Sequence, residues 1–94
     1  MTKEQILKYL SDNKKEFRDR FQIKKIGLFG SYARDDITVD SDIDIIVNMP
    51  SDLNNFFELK NILENNFGKK VDLGLENSIR LLIKDSIKNE VIYV

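Results

Sequence analysis

Apolar residues in the first third of the chain follow first a helical and then an extended period. Helical spacing begins after Thr2, which forms a capping box with Gln5, and predicts a helix over about residues 3–20. The apolar positions of that helix are Ile6, Leu7, Leu10 and Phe17. Residues 23–29 form a short apolar and β-branched run that ends at Gly30, and this run predicts a strand.

The next segment turns from polar to apolar within a few residues. Residues 31–34 fit one helical turn, and residues 35–41 are polar and predict a loop. Residues 42–48 predict a second strand, which Pro50 stops. Alternate side chains of a strand share a face, so the apolar face consists of Ile43, Ile45 and Val47. The opposite face carries Asp42, Asp44 and Ile46.

The second half of the chain repeats the alternation of helix and strand. Asp52 is placed to cap a long helix, and Gly68 suits its C-terminal end. The apolar spacing of this helix runs through Leu53, Phe56, Leu59 or Lys60, Leu63 and Phe67. Residues 70–75 predict a third strand and residues 91–94 a last short one. Between them Ser78 is placed to cap a third helix, with Ile79, Leu82, Ile83, Ser86 and Ile87 on one face.

This order of elements predicts an α/β fold of the α+β kind, in which helices pack on a small mixed sheet. The 94 residues suffice for one domain and are too few for two, so residues 1–94 are expected to form a single domain. The chain opens on a polar helix pattern and has no apolar run long enough to span a membrane. We therefore expect a cytoplasmic protein without a membrane partner.

Composition narrows the available chemistry. The chain contains neither cysteine nor histidine, which excludes disulfides, thiolate zinc sites, thiol nucleophiles and imidazole bases. Catalysis would have to use carboxylates, hydroxyls, Lys, Arg and the backbone. The net charge is −1, and the basic residues are scattered in pairs rather than gathered on one face. Direct binding of nucleic acid is therefore not expected.

Two carboxylates on the second strand are the main candidates for chemistry. At about 5 Å and an effective dielectric of about 20, Asp42 and Asp44 repel each other by about 3 kcal/mol. A cation between them would turn this repulsion into coordination, as in two-metal phosphoryl transfer. The plain alternative is that both are solvated on the exposed face of an edge strand, although aspartate is disfavoured in strands. An EF-hand loop is excluded because Ile45 and Ser51 stand where Gly and Glu are required.

Two further features lie near this pair in the predicted fold. Gly30 and Ser31 end the first strand, where backbone N–H groups and a hydroxyl can cradle a phosphate, or form an ordinary turn. No Gly-Lys-Ser/Thr follows, so the turn is not a P-loop. Asp72 alternates with Val71 and Leu73 on the third strand. It is either an exposed strand residue or a third carboxylate that completes a metal site and acts as a base.

The combination resembles the nucleotidyltransferase superfamily that includes the palm of DNA polymerase β. Gly30-Ser31, ten intervening residues, Asp42-Ile43-Asp44 and the later Asp72 carry this resemblance. The stretches "GSYARDD" and "DSDIDIIV" look most like the minimal nucleotidyltransferases, which resemble the antitoxin of toxin–antitoxin pairs whose toxin is a HEPN-domain ribonuclease.

The resemblance implies a protein adenylyltransferase that uses ATP and two Mg²⁺ ions, with Mn²⁺ as a substitute. It implies that AMP passes to a hydroxyl, expected to be a tyrosine of the toxin, with release of pyrophosphate. Asp42, Asp44 and Asp72 would be the catalytic metal ligands. The triphosphate would be held by Gly30, Ser31 and Arg34. The family commonly has Gly after the Arg, and here Asp35 must adopt the left-handed backbone that Gly permits.

Two other functions remain open at this stage. One is a nucleotidyltransferase that acts on a small molecule, which would need a helical acceptor domain from another subunit. The other is a non-catalytic antitoxin that inhibits its partner by occlusion. A covalent nucleotide on the partner distinguishes the adenylyltransferase from the occluding protein.

Overall fold

A four-stranded mixed sheet with helices packed on it forms the fold. The computed structural model describes residues 1–76 and 90–94 of the chain. The helices are α1 (Lys3–Asp12), α2 (Lys14–Phe21), α3 (Gly30–Ala33) and α4 (Leu53–Phe67). The strands are β1 (Lys25–Phe29), β2 (Ile43–Asn48), β3 (Val71–Leu75) and β4 (Ile92–Tyr93). The α/β fold with a small mixed sheet predicted from the sequence is confirmed.

The strands lie in the order β3-β2-β1-β4. β1 runs antiparallel to both β2 and β4, whereas β2 and β3 run parallel. The parallel pair follows from α4, because a chain that leaves β2 and crosses back along a helix enters β3 in the same direction. The first residues of β2 and β3 therefore lie at the same end of the sheet.

The hydrophobic core lies between one face of the sheet and the helices. Ile43, Ile45 and Val47 are fully buried, as the strand alternation predicts. The other side chains of the core come mainly from the helices and the remaining strands, including Ile6, Leu10, Phe17, Phe21, Leu59, Leu63 and Val71. Ile46, on the opposite face, is also buried, so the face that carries the aspartates is not solvent-exposed along its whole length.

The caps of α4 match the sequence prediction. The Asp52 side chain accepts a hydrogen bond from the backbone N–H of Asn55 at 3.1 Å. Gly68 ends the helix with a φ of 66°, in the left-handed region. Leu53, in contrast, was predicted to be part of the apolar face, and its side chain is 73% exposed.

The prediction of one continuous helix over residues 3–20 is wrong. The helix is broken at Asn13, where φ is −103° and ψ is 4°. The Asn13 side-chain amide donates a hydrogen bond to the Tyr9 carbonyl at 2.8 Å, and its backbone N–H donates to the same carbonyl at 3.1 Å, so Asn13 caps the end of α1. The break allows α2 to bury both Phe17 and Phe21.

The predicted strands exist, with starts one or two residues later than expected. β1 begins at Lys25, β2 at Ile43 and β3 at Val71, and the last strand covers only Ile92 and Tyr93. The helix predicted from Ser78 lies outside the described residues. No helix within residues 1–76 and 90–94 has both the length and the apolar character that crossing a bilayer requires.

Candidate active site

Asp44 and Asp72 are brought together by the register of the parallel strands. Asp44 on β2 and Asp72 on β3 are direct partners across the ladder. Asp42 immediately precedes β2 and is two residues from Asp44, so both point to the same side of the sheet. Asp72 is exposed, and Asp42 and Asp44 are partly exposed. The three carboxylates that the sequence singled out therefore lie at one end of the sheet, on one face.

The pKa of Asp44 is shifted by its surroundings. Its pKa is raised from its ordinary value of 3.8 to about 6, mainly because partial burial disfavours the charged form. The negative charges of Asp72 and Asp42 raise it further, and the positive charge of Arg34 acts in the opposite direction. Carboxylates whose pKa is raised by burial and by neighbouring negative charges are found more often at functional sites than at purely structural positions.

Gly30 provides the space in which the Asp44 side chain lies. The φ of Gly30 is +74°, a conformation that residues with a side chain rarely adopt. A Cβ atom at this position would lie 2.1 Å from the Asp44 Oδ2 atom and 2.9 Å from its Cγ. From the sequence, Gly30 was expected to let a ligand approach the backbone. The structure adds that the absence of a side chain at Gly30 leaves room for the Asp44 carboxylate.

Ser31 lies in the short helix α3, which follows β1 directly. It is partly exposed, and its carbonyl accepts a hydrogen bond from the backbone N–H of Asp36 at 2.9 Å. α3 contacts both β1 and β2, the strand of Asp44. The predicted helical turn is therefore present, beside the carboxylates.

Arg34 follows α3 and is electrostatically coupled to Asp44. Its Nη1 atom lies 3.0 Å from Glu90 Oε2; Arg34 is exposed and Glu90 is partly exposed. The guanidinium is thus near enough to the site to affect Asp44 and is engaged by a carboxylate from the last segment of the chain. No local sequence signal identifies Glu90 as this partner, because 56 residues separate the two.

Asp35 has a φ of +58°. The expectation that Asp35 adopts the left-handed backbone is confirmed. Its carboxylate forms an ion pair with the Lys3 ammonium at 2.8 Å, and this pair connects the start of α1 to the turn beside the site. Sequence reasoning missed Lys3, since nothing at residue 3 indicates contact with a turn 32 residues away.

The donor chemistry of the site suits a hard divalent cation. Within residues 1–76 and 90–94, no group of three or more acidic side chains has the arrangement of a metal site. Asp42, Asp44 and Asp72 nevertheless supply only oxygen donors, which Mg²⁺ and Mn²⁺ prefer. A cation among them would also offset the repulsion that raises the pKa of Asp44. The oxygen donors of these three residues therefore suit Mg²⁺.

Comparisons with known proteins show which family this chain resembles in sequence and fold. A family model described as a nucleotidyltransferase domain matches residues 10–94. The protein adenylyltransferase MntA of Thermococcus cleftensis is 42% identical over an alignment of 97 positions, which covers 100% of this chain and 97% of the relative. A protein of Methanocaldococcus jannaschii, to which the same activity is assigned provisionally, is 40% identical over an alignment of 96 positions, which covers 99% of this chain and 98% of the relative.

Two solved structures share the architecture. One, assigned provisionally to the minimal nucleotidyltransferases, has a TM-score of 0.80 at 24% identity and covers 98% of this chain and 95% of that chain. The other, a toxin–antitoxin complex crystallised with AMP-PNP, has a TM-score of 0.69 at 26% identity. That match covers 99% of this chain and 72% of the other.

Proposed function

This chain belongs to the nucleotidyltransferase domain family, and from that premise we propose that it is a protein adenylyltransferase that modifies a partner toxin. In this proposal AMP passes from ATP to a hydroxyl of a HEPN-domain toxin in the cytoplasm, the acceptor being a tyrosine. The modified toxin is silenced, so the chain acts as its antitoxin. The names of the relatives, together with the toxin–antitoxin complex that holds an ATP analogue, support this assignment.

The observation that carries the proposal is the pairing of Asp44 with Asp72 beside Gly30. Two carboxylates in register on parallel strands, with the backbone of a glycine against one of them, leave an open acidic site next to the turn at Ser31. Asp42, Asp44 and Asp72 would hold two Mg²⁺ ions. When bound, these ions would neutralise charge on the phosphates and orient them for in-line displacement.

The remaining steps use the chain's own residues. Backbone N–H groups near Gly30, the Ser31 hydroxyl and the Arg34 guanidinium bind the β- and γ-phosphates and orient the α-phosphate toward the acceptor. The acceptor oxygen forms a new bond to the α-phosphorus. The bond between that phosphorus and the oxygen bridging to the β-phosphate breaks, and pyrophosphate leaves with its electron pair. Asp72 accepts the hydroxyl proton, which a tyrosine with an ordinary pKa of about 10 would otherwise retain at neutral pH.

The test is the intact mass of the purified HEPN-domain partner after incubation with this chain, Mg²⁺ and ATP. We expect the mass to rise by one or more AMP units. Replacing ATP with α,β-methylene-ATP is the matched control, because its α–β bridge cannot be cleaved while its phosphates still bind. An unmodified partner that is nevertheless inhibited would establish the non-catalytic, occluding antitoxin instead.

A further inference from the structure

A small loop beside the carboxylates displays apolar side chains to solvent. Residues 36–41, called here the 36–41 loop, connect the α3 turn to the start of the Asp42 strand. The Val39 side chain is 93% exposed, and that of Ile37 is 39% exposed. Single exposed apolar residues are common on protein surfaces, so exposure alone assigns no function. The internal structure, position and charge of the loop distinguish these two.

Hydrogen bonds within the loop hold Val39 outward. The backbone N–H of Thr38 donates to Ser41 Oγ at 2.9 Å, and the two hydroxyls are 3.1 Å apart. The Ser41 N–H donates to the Thr38 carbonyl at 3.1 Å, which closes the turn that carries Val39 at its tip. At its start the loop is joined to α3 by the bond from Asp36 N–H to the Ser31 carbonyl. A turn fixed in this way loses little conformational freedom when it binds a partner.

The loop is joined at both ends to residues of the proposed site. Val39 is three residues before Asp42, so their Cα atoms are at most about 11 Å apart. At its other end the loop is hydrogen-bonded to Ser31, which belongs to the proposed phosphate site. A macromolecule that places a hydroxyl beside Asp72 and Asp44 therefore comes within contact distance of the loop.

The negative charge of the loop favours a protein over a nucleic acid as the macromolecule that binds there. Asp36 and Asp40 are exposed, and within residues 1–76 and 90–94 neither takes part in an ion pair. The neighbouring Asp35 is paired with Lys3. Two uncompensated carboxylates around an apolar tip repel the phosphates of a nucleic acid and attract a basic protein surface.

We propose that the 36–41 loop is the docking element for the protein that carries the acceptor hydroxyl. Val39 and Ile37 enter an apolar depression on that protein, and Asp36 and Asp40 face basic residues at its rim. This inference rests on the proposed adenylyltransferase function, since it concerns how the acceptor is delivered. It adds that recognition resides in a loop next to the carboxylates rather than in a separate domain.

The test compares two exposed apolar residues, one in the 36–41 loop and one at the start of α4. Val39→Ser removes the apolar tip of the loop, and Leu53→Ser removes another exposed apolar side chain at the start of α4, where the residue is 73% exposed. We expect Val39→Ser to weaken calorimetric binding of the HEPN-domain partner by ~10-fold, the scale of one interface side chain. The KM for the partner should rise in parallel, while the kcat at saturating partner and the affinity for AMP-PNP stay unchanged. Leu53→Ser should match the wild type in all four quantities.

A second pair of variants tests the charges. Asp36→Asn with Asp40→Asn should reduce the dependence of the association rate on salt concentration. Asp12→Asn with Asp19→Asn removes the same charge from α1 and α2 and should leave that dependence closer to the wild-type value.

The remaining outcomes of these experiments contradict either the docking proposal or the proposed function, and the two cases can be told apart. If Val39→Ser binds the partner as the wild type does, or if Leu53→Ser weakens it equally, the loop is not the docking element. A loss of AMP-PNP binding in Val39→Ser, or tight RNA binding that this change abolishes, would also overturn the proposal. If the wild type docks but transfers no AMP, the proposed function fails, and the calorimetric comparison still decides whether the loop docks. Absence of any complex overturns the docking proposal.

Discussion

Asp44 and Asp72 lie side by side on parallel strands, so that two negative charges share one end of the sheet. They differ in surroundings, because Asp44 is partly buried beside Gly30 while Asp72 is exposed. In the proposed site the partly buried Asp44 would hold a cation, and the exposed Asp72 would face the acceptor. The two carboxylates should therefore respond differently to mutation.

For Asp72→Asn we expect AMP-PNP affinity within a few-fold of the wild type, while AMP transfer to the HEPN-domain partner falls by ~10² or more, the lower range for loss of a positioned base. Single-turnover transfer and equilibrium nucleotide binding measure the two effects separately. Transfer near the wild-type rate would leave Asp72 as an ordinary strand residue.

For Asp44→Asn and Asp42→Asn we expect transfer to fall to background without loss of stability in EDTA. Neutralising either residue relieves the repulsion that raises the pKa of Asp44, so the melting temperature in EDTA should be unchanged or higher. Asp19→Asn, an exposed acid on α2, is the control for the change in net charge. A large drop in melting temperature for the site variants, but not for Asp19→Asn, would show that the carboxylates are structural.

The raised pKa of Asp44 also predicts a pH dependence. A carboxyl whose folded-state pKa lies above its unfolded value binds more protons when folded, so folding stability falls as pH rises. For Asp44 the window runs from 3.8 to about 6. The stability of Asp44→Asn relative to the wild type should therefore increase across this window and level off above it. Urea unfolding in EDTA at a series of pH values measures the difference, and a constant difference would refute the assignment.

Gly30→Ala and Gly68→Ala separate backbone strain from crowding of Asp44. Both glycines have a positive φ, 74° and 66°, so each substitution should cost about 1 to 2 kcal/mol of unfolding free energy. Only at Gly30 does the new methyl group meet the Asp44 carboxylate, because nothing lies within 4 Å of the corresponding position at Gly68. We expect Gly30→Ala to lose transfer and Gly68→Ala to retain it. Equal activities would mean that Asp44 moves aside without consequence.

The ion pair between Arg34 and Glu90 predicts opposite effects of its two members on ATP binding. In the proposed site Arg34 contacts the triphosphate, so Arg34→Ala should weaken ATP binding. Glu90→Gln frees the guanidinium and removes a negative charge near the proposed triphosphate site, so binding should tighten by a few-fold. Asp12→Asn, which neutralises an acid paired with Lys8 at 2.8 Å, is the matched control. Weaker binding in Glu90→Gln would show that Glu90 orients Arg34 for the phosphate rather than competing with it.

Sequence reasoning anticipated the elements that depend on local signals. The alternation of Ile43, Ile45 and Val47 with the aspartates fixed the faces of β2, and the signals at Asp52 and Gly68 located α4. The break at Asn13 was not predicted, because the apolar spacing on both sides of it is also compatible with one continuous helix. The pairing of Asp44 with Asp72 depends on β2 and β3 being parallel neighbours in the sheet, and the helix α4 between them accounts for the parallel direction.

Contacts between distant parts of the chain were not predictable from one sequence. Lys3 with Asp35 and Arg34 with Glu90 are examples, since charged residues are frequent and any acid has many possible partners. The close contact of Gly30 with Asp44 also depends on how tightly α3 packs on β2.

Because of that contact, residues 30 and 44 are expected to change together during evolution. While residue 44 is an aspartate in use, residue 30 has to remain a glycine, because any side chain would occupy the volume of the carboxylate. A lineage that abandons nucleotide transfer releases both constraints together. Joint replacement of the glycine and the aspartate in a relative would thus mark it as a pseudoenzyme, identifiable in a genome before any assay.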